Sequence, residues 1–196
     1  MNLPNKLSLM RIALVPLLAI IYLYIDLPEC FVFTIDNSYL ILTFTDILVL
    51  LIFAIASITD FLDGSIARKY NLITSFGKFI DPIADKLLVN TLFILFAWSG
   101  EVSVVAVLLM IARDTIVDGL RMSASSKGKV VAAGILGKLK TVLQMFAIIV
   151  ILLNNIPFAF FHIAMDQILL WAAVIVSLLS GAVYFIKLKD VILETM

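Results

Sequence analysis

Six apolar stretches, at about 9–25, 39–62, 79–99, 102–123, 134–154 and 167–187, each approach the roughly 20 residues that a helix needs to cross a hydrocarbon core. Asn37 with Ser38, Ser99 with Gly100, the segment 123–128 and the run Asn154-Asn155-Ile156-Pro157 supply the turn chemistry between them. Hydrophobic residues make up 63% of the chain and charged ones 14%, against roughly 45–50% apolar in soluble domains, which marks an integral membrane protein. The expected fold is an all-α bundle of six transmembrane helices, one membrane-embedded domain over residues 1–196. Lys6 and Arg11 before the uncharged run 12–25 look like a secretory signal, but Asp26, Leu27, Pro28 and Glu29 give no cleavage pattern, so a retained first span is expected.

All fourteen lysines and arginines fall on one side of this arrangement: at the amino end, around 68–86, around 113–140, and at 187 and 189. The opposite loops hold Asp26, Glu29, Asp36, Glu101 and Asp166 and neither lysine nor arginine. By the positive-inside rule both termini and the segment 60–85 face the cytoplasm. The same distribution argues against five or seven spans. The uncharged runs 47–59 and 87–100 hold only thirteen and fourteen residues, so each helix must draw its acidic end into the inner leaflet to complete a span.

Those acidic ends carry the chemistry. Asp60-Phe61-Leu62-Asp63-Gly64-Ser65-Ile66-Ala67-Arg68 is followed after eight residues by Gly77, then by Asp81 and Asp85 at steps of four. Ionisable groups at membrane depth are costly and are normally paired, metal-bound or turned to a wet cavity. At roughly 100° per residue, Asp60, Asp63, Gly64 and Ala67 share one face of the second helix, and Asp81 and Asp85 one face of the third. The short link 70–75 makes these helices antiparallel neighbours whose acidic faces can converge.

Four converging carboxylates repel one another, and hard divalent cations relieve that repulsion. Oxygen donors without histidine or cysteine suit magnesium or manganese over zinc. Two such ions would balance four carboxylates and still attract a diphosphate, which favours in-line phosphoryl transfer. Gly64 and Ala67 leave room for close approach of a nucleotide, and Arg68 offers a fork of donors to phosphate. Ser75 is the expected cap of the third helix, and Pro82 is expected to bend it locally.

The pattern Asp60-x-x-Asp63-Gly64-x-x-Ala67-Arg68-x8-Gly77-x3-Asp81-x3-Asp85 resembles in full the signature of the CDP-alcohol phosphotransferases. That resemblance implies a six-span core and a two-metal site, Mg2+ or Mn2+, that transfers a CDP-linked group to an alcohol and releases CMP. It implies Asp60, Asp63 and Asp81 as metal ligands, Asp85 as metal ligand or general base, and Gly64, Ala67 and Arg68 as contacts to the cytidine diphosphate. A divalent-cation transporter is the alternative from another class, and it leaves Gly64, Ala67 and Arg68 unexplained.

The acceptor must be read from a second polar set: Arg113, Asp114, Asp118 and Arg121 on the fourth span, with Lys138, Lys140 and Thr141 opening the fifth. Arg113 is too deep to reach water and should face the bundle interior. Several cations beside a diphosphate site imply an anionic group on the acceptor, because a neutral alcohol would leave buried positive charge uncompensated. The segment 137–141, Arg113-Asp114, Arg121, Pro4-Asn5-Lys6-Leu7 and Arg11 are similar to the bacterial branch of the family that makes phosphatidylglycerol phosphate. Asp114 stands where that branch is expected to carry glutamate.

The resemblance therefore implies CDP-diacylglycerol and sn-glycerol 3-phosphate as substrates, with Arg113, Arg121, Lys138 and Thr141 around the acceptor. A sister acceptor such as inositol phosphate, serine or a lipid would alter only that pocket. Partners are then membrane lipid and no nucleic acid, and a homodimer would agree with the resemblance. Cys30, the single cysteine, has no partner for a bridge, and His162 reads as an interfacial residue. Asp46 reads as an outer-interface residue.

Overall fold

The computed structural model describes residues 2–35, 38–69, 74–126 and 134–193; within it the side chains of Asp63, Ala67 and Arg68 are not described, and Lys127 and Lys129 lie outside the described residues. The helices are α1 (Leu3–Tyr24), α2 (Phe44–Lys69), α3 (Ser75–Ser99), α4 (Val104–Ser126), α5 (Ile135–Leu152), the single turn α6 (Ile156–Ala159) and α7 (Met165–Leu193). Among the described residues, three helical segments are long and apolar enough to cross a membrane on composition alone: Asn5–Tyr24, Ile135–Leu152 and Met165–Lys189. The other long helices carry ionisable residues along their length, Asp60 in α2, Asp81 and Asp85 in α3, and Arg113, Asp114 and Asp118 in α4.

One departure from an all-α fold precedes α2. Strands β1 (Glu29–Ile35) and β2 (Ser38–Thr43) form an antiparallel hairpin, pairing Phe31 with Leu42 and Phe33 with Leu40. Residues 39–43 therefore belong to a strand and not to the second span. Their apolar run continues into α2 without a break, so hydropathy alone cannot separate the two; the aromatic and β-branched content favours the strand. Asp46 accepts hydrogen bonds from Thr43 N (3.0 Å) and Thr43 Oγ1 (2.8 Å), which satisfies donors at the start of α2.

Local signals account for most helix ends. Pro4 occupies the first turn of α1, where its missing N–H is not needed. Thr74, not Ser75, caps α3, its hydroxyl accepting from Gly77 N at 2.9 Å. Gly100 ends α3 in the left-handed region with φ +86°, and its N–H returns to Phe96 O. Asn154 and Asn155 take φ of +50° and +54° between α5 and α6, a conformation asparagine tolerates well. Helix α3 runs through Pro82 without interruption.

The helices pack as two groups of three. α1 packs against both α2 and α3, while α7 packs against both α4 and α5; α3 meets α4 and α5 across the divide. α2 and α3 barely touch each other among the described residues, so α1 sits where direct pairing of the two acidic helices was expected. Phe53, Leu92, Phe93, Phe96, Met110 and Ile148 fill the centre. Apolar attraction contributes little between helices in lipid, so close approach matters more. Ala147, Ala173, Ser177 and Ser180, all buried, supply small surfaces at the contacts of α5 and α7. The uncharged run of α7 turns Ile175, Leu179 and Ile186 outward and buries Leu170, Val174 and Tyr184.

Candidate active site

The carboxylates of α2 and α3 meet over a third helix. Asn5, Ser8 and Arg11 recur every three residues along α1 and are all buried, Arg11 with 1% of its surface exposed. This spacing puts them on one helical face. Arg11 Nη1 donates to Asp60 Oδ1 at 2.7 Å and also to Asp85 Oδ1. Ser8 Oγ donates to Asp81 Oδ1, one turn before Asp85. Thr74 Oγ1 donates to Asn5 Oδ1 at 3.0 Å, tying the start of α3 to the same face.

The electrostatics follow from that placement. A guanidinium keeps its charge at any ordinary pH, and a buried one requires carboxylate partners. Asp60 and Asp85 supply them while remaining part-exposed, with 38% and 47% of their side chains accessible. Gly77 explains its own identity: a Cβ there would lie 2.9 Å from Asn5 Oδ1 and 3.7 Å from Asp81 Oδ2. A larger residue would push the Asn5 side chain off this position, so glycine leaves the Thr74–Asn5 bond its room.

A cavity of about 310 Å³ opens beside these acids, between α3, α4 and α5. Asp81, Asp85, Lys86, Asp114, Lys140 and Thr141 are among its walls. Lys140 Nζ donates to both oxygens of Asp114, at 2.7 and 2.5 Å, and Arg113 Nη1 donates to Asp114 Oδ1 at 2.8 Å. Two cations thus share one buried carboxylate. Lys86 pairs with Asp118 beside them, and Gln144 closes the apolar end by donating to Met110 Sδ at 3.3 Å.

The structure brings Asp60 and Asp85 onto one guanidinium, sets Asp81 one turn before Asp85 against Ser8, and places Gly64 one turn after Asp60 in α2. The expected contributions of the Asp63, Ala67 and Arg68 side chains lie outside the described ones. Thr141 lines the cavity, whereas Lys138 and Arg121 are exposed and are not among its walls. Arg113, with 10% of its side chain exposed, runs toward α7, where Nη2 donates to Ser180 Oγ at 2.7 Å and Cζ lies 6.0 Å from the Tyr184 ring centre.

Ser8 was not among the expected site residues; Lys140 stood in the second polar set without an assigned role, and Asn5 and Arg11 only among the family-like residues. The signal was present as a three-residue polar rhythm in an otherwise apolar α1. For Lys140, the four-residue step to Gln144 marks the inward face of α5, from which Lys138 is rotated by roughly 200°.

An apolar helical bundle with acids of two helices meeting on one guanidinium, and beside them a cavity walled by both aspartates and lysines, defines a membrane protein built to handle charged groups. The chain belongs to the CDP-alcohol phosphatidyltransferase family, whose sequence model matches residues 1–179. A Bacillus subtilis relative, CDP-diacylglycerol--glycerol-3-phosphate 3-phosphatidyltransferase, is 42% identical over 95% of this chain and 94% of its own. A Rickettsia bellii protein of the same name is 40% identical over 94% and 93%. The Escherichia coli protein of that name is 36% identical over 75% and 74%.

Members of this family generally use divalent metal ions. The donor set fits such ions in kind, since all of it is carboxylate oxygen and two of its acids already converge on one cationic group. Among the described residues no three potential ligands close around a single point. Asp60, Asp81 and Asp85, with Asp63, are the groups that could hold metal.

Proposed function

We propose that this protein transfers the phosphatidyl group of CDP-diacylglycerol to sn-glycerol 3-phosphate, giving phosphatidylglycerol phosphate and CMP. The observation that carries the acceptor half of this reading is Lys140, a buried cation at the cavity wall that shares the single carboxylate of Asp114 with Arg113. A phosphate monoester offers Lys140 a second anion in place of a shared one, which a neutral acceptor does not.

In the reaction, a glycerol hydroxyl oxygen forms a bond to the lipid-side phosphorus of the donor. The bond from that phosphorus to the bridging oxygen breaks, and its electron pair leaves on CMP. Asp85, at the junction of the acids and the cavity, receives the hydroxyl proton. Divalent ions, two Mg2+ or Mn2+ in this reading, would neutralise the diphosphate and the departing phosphate when held by Asp60, Asp63, Asp81 and Asp85.

Gly64, Ala67 and Arg68 contact the cytidine diphosphate. Lys140 and Thr141 orient the acceptor phosphate, with Arg113 acting through Asp114 and with Arg121 and Lys138 at the cytoplasmic mouth. An apolar groove of about 620 Å³ between α2 and α5, lined by Phe53, Ala54, Ser57, Val142 and Phe146 among others, suits an acyl chain of the donor. Its lining includes Val142, the residue after Thr141, and Ser57, three residues before Asp60. Six spans with both termini and the carboxylates on the cytoplasmic side of the bacterial cell membrane complete the reading, which the charge distribution supports.

Purified protein in vesicles, given both substrates and Mg2+ or Mn2+, should release CMP and form phosphatidylglycerol phosphate. Release of CMP only when inositol phosphate, serine or another alcohol replaces glycerol 3-phosphate would reassign the acceptor. No release with any acceptor would reject the reaction.

A further inference from the structure

Arg11 is a wholly buried cation placed where divalent ions are expected to bind. Its Nη1 reaches Asp60 on α2 and Asp85 on α3 at once, and Ser8 on the same face engages Asp81. All three acids thereby hold a hydrogen bond from α1. An ion that takes oxygens of Asp60 and Asp85 must compete with that guanidinium. A displaced guanidinium with 1% exposure cannot turn to water, and the diphosphate of the donor is an anion it can take up.

We propose that Arg11 is a positioning residue that couples metal binding to donor binding: it holds Asp60 and Asp85 together before metal arrives, opposes metal that arrives alone, and passes to the donor's diphosphate when both bind. The proposal rests on reading Asp60 and Asp85 as metal ligands. The physical basis is charge. One resident cation lowers the affinity of the acids for a second, and a diphosphate offers the first a new anionic partner. α1 is well suited to this task because it packs against both α2 and α3, so one side chain senses both acidic helices.

The test is Mn2+ binding to detergent-purified protein, followed by electron paramagnetic resonance, with and without CDP. In Arg11→Met, Mn2+ alone should bind at least about tenfold more tightly than in the unaltered protein, and the gain in affinity on adding CDP should shrink by a similar factor. A residue with a merely structural role would give the opposite sign, because scattered acids bind metal less well. Unchanged or weakened Mn2+ binding in a folded variant overturns the proposal. Should Arg11→Met fail to fold, Arg11→Gln keeps a donor without the charge and makes the same comparison. If the unaltered protein binds no Mn2+ even with CDP, the metal reading itself fails and the proposal falls with it.

Discussion

Gly181 of α7 lies against the Arg113 side chain of α4, so that a Cβ at position 181 would sit 3.0 Å from Arg113 Cγ and 3.3 Å from Nε. The guanidinium is thereby laid toward Ser180 and Asp114. Gly181→Ala forces a shift of a few tenths of an ångström, and Gly181→Val a larger one. The KM for glycerol 3-phosphate should rise in that order, with the KM for CDP-diacylglycerol nearly unchanged. Steady-state kinetics on both variants checks this.

Gly77→Ala acts on the other side of the site. The added methyl would meet Asn5 Oδ1 at 2.9 Å and Thr74 Oγ1 at 3.2 Å, which are the two partners of the bond that joins α1 to the cap of α3. Overpacking of this kind costs about 1–3 kcal/mol. Thermal unfolding in detergent should show the loss, and Asn5→Ala in the same background should recover part of it by clearing the contact.

Much of this arrangement was readable from the residues alone, and the reasons for the remainder are physical. The intervals of Asp60, Asp81 and Asp85 specify helix faces, so the approach of Asp60 to Asp85 was readable from periodicity. That α1 would lie between α2 and α3 did not follow, because a short connection constrains helix ends and not the packing along their length. The hairpin at 29–43 was hidden by its continuity with the apolar start of α2. Lys138 and Lys140 are chemically alike and differ only in which way α5 is turned. The buried Gln144 one turn beyond Lys140 indicates that direction once the helix is seen.

The orientation of α5 gives a direct comparison. Lys140 is buried and holds both oxygens of Asp114, whereas Lys138 is exposed. Lys140→Met should raise the KM for glycerol 3-phosphate at least about tenfold, and Lys138→Met should change it less than about threefold. Asp114→Asn should be the least stable of the set, since it leaves buried Lys140 and neighbouring Arg113 with no carboxylate between them. Removing one member of a buried ion pair costs about 3–5 kcal/mol. Unfolding midpoints and KM values for the three variants decide the matter together.

The acids of α3 can be separated by what each loses. Asp85 sits at the junction of the Arg11 contact and the acceptor cavity, while Asp81 is held one turn away by Ser8. Asp85→Asn keeps the shape and a polar oxygen but cannot accept a proton, so CMP release should fall by at least about 10³-fold with CDP binding largely retained. Asp81→Ala removes oxygens altogether, and Mn2+-dependent CDP binding should fall along with turnover. Titration calorimetry with CDP in the presence of Mn2+, beside the turnover assay, tells the two apart. Chelation of divalent ions should make the unaltered protein resemble Asp81→Ala and not Asp85→Asn, because it removes the attraction for the diphosphate as well as the chemistry. Retained nucleotide binding after chelation would instead place the donor's main contacts on the protein side chains alone.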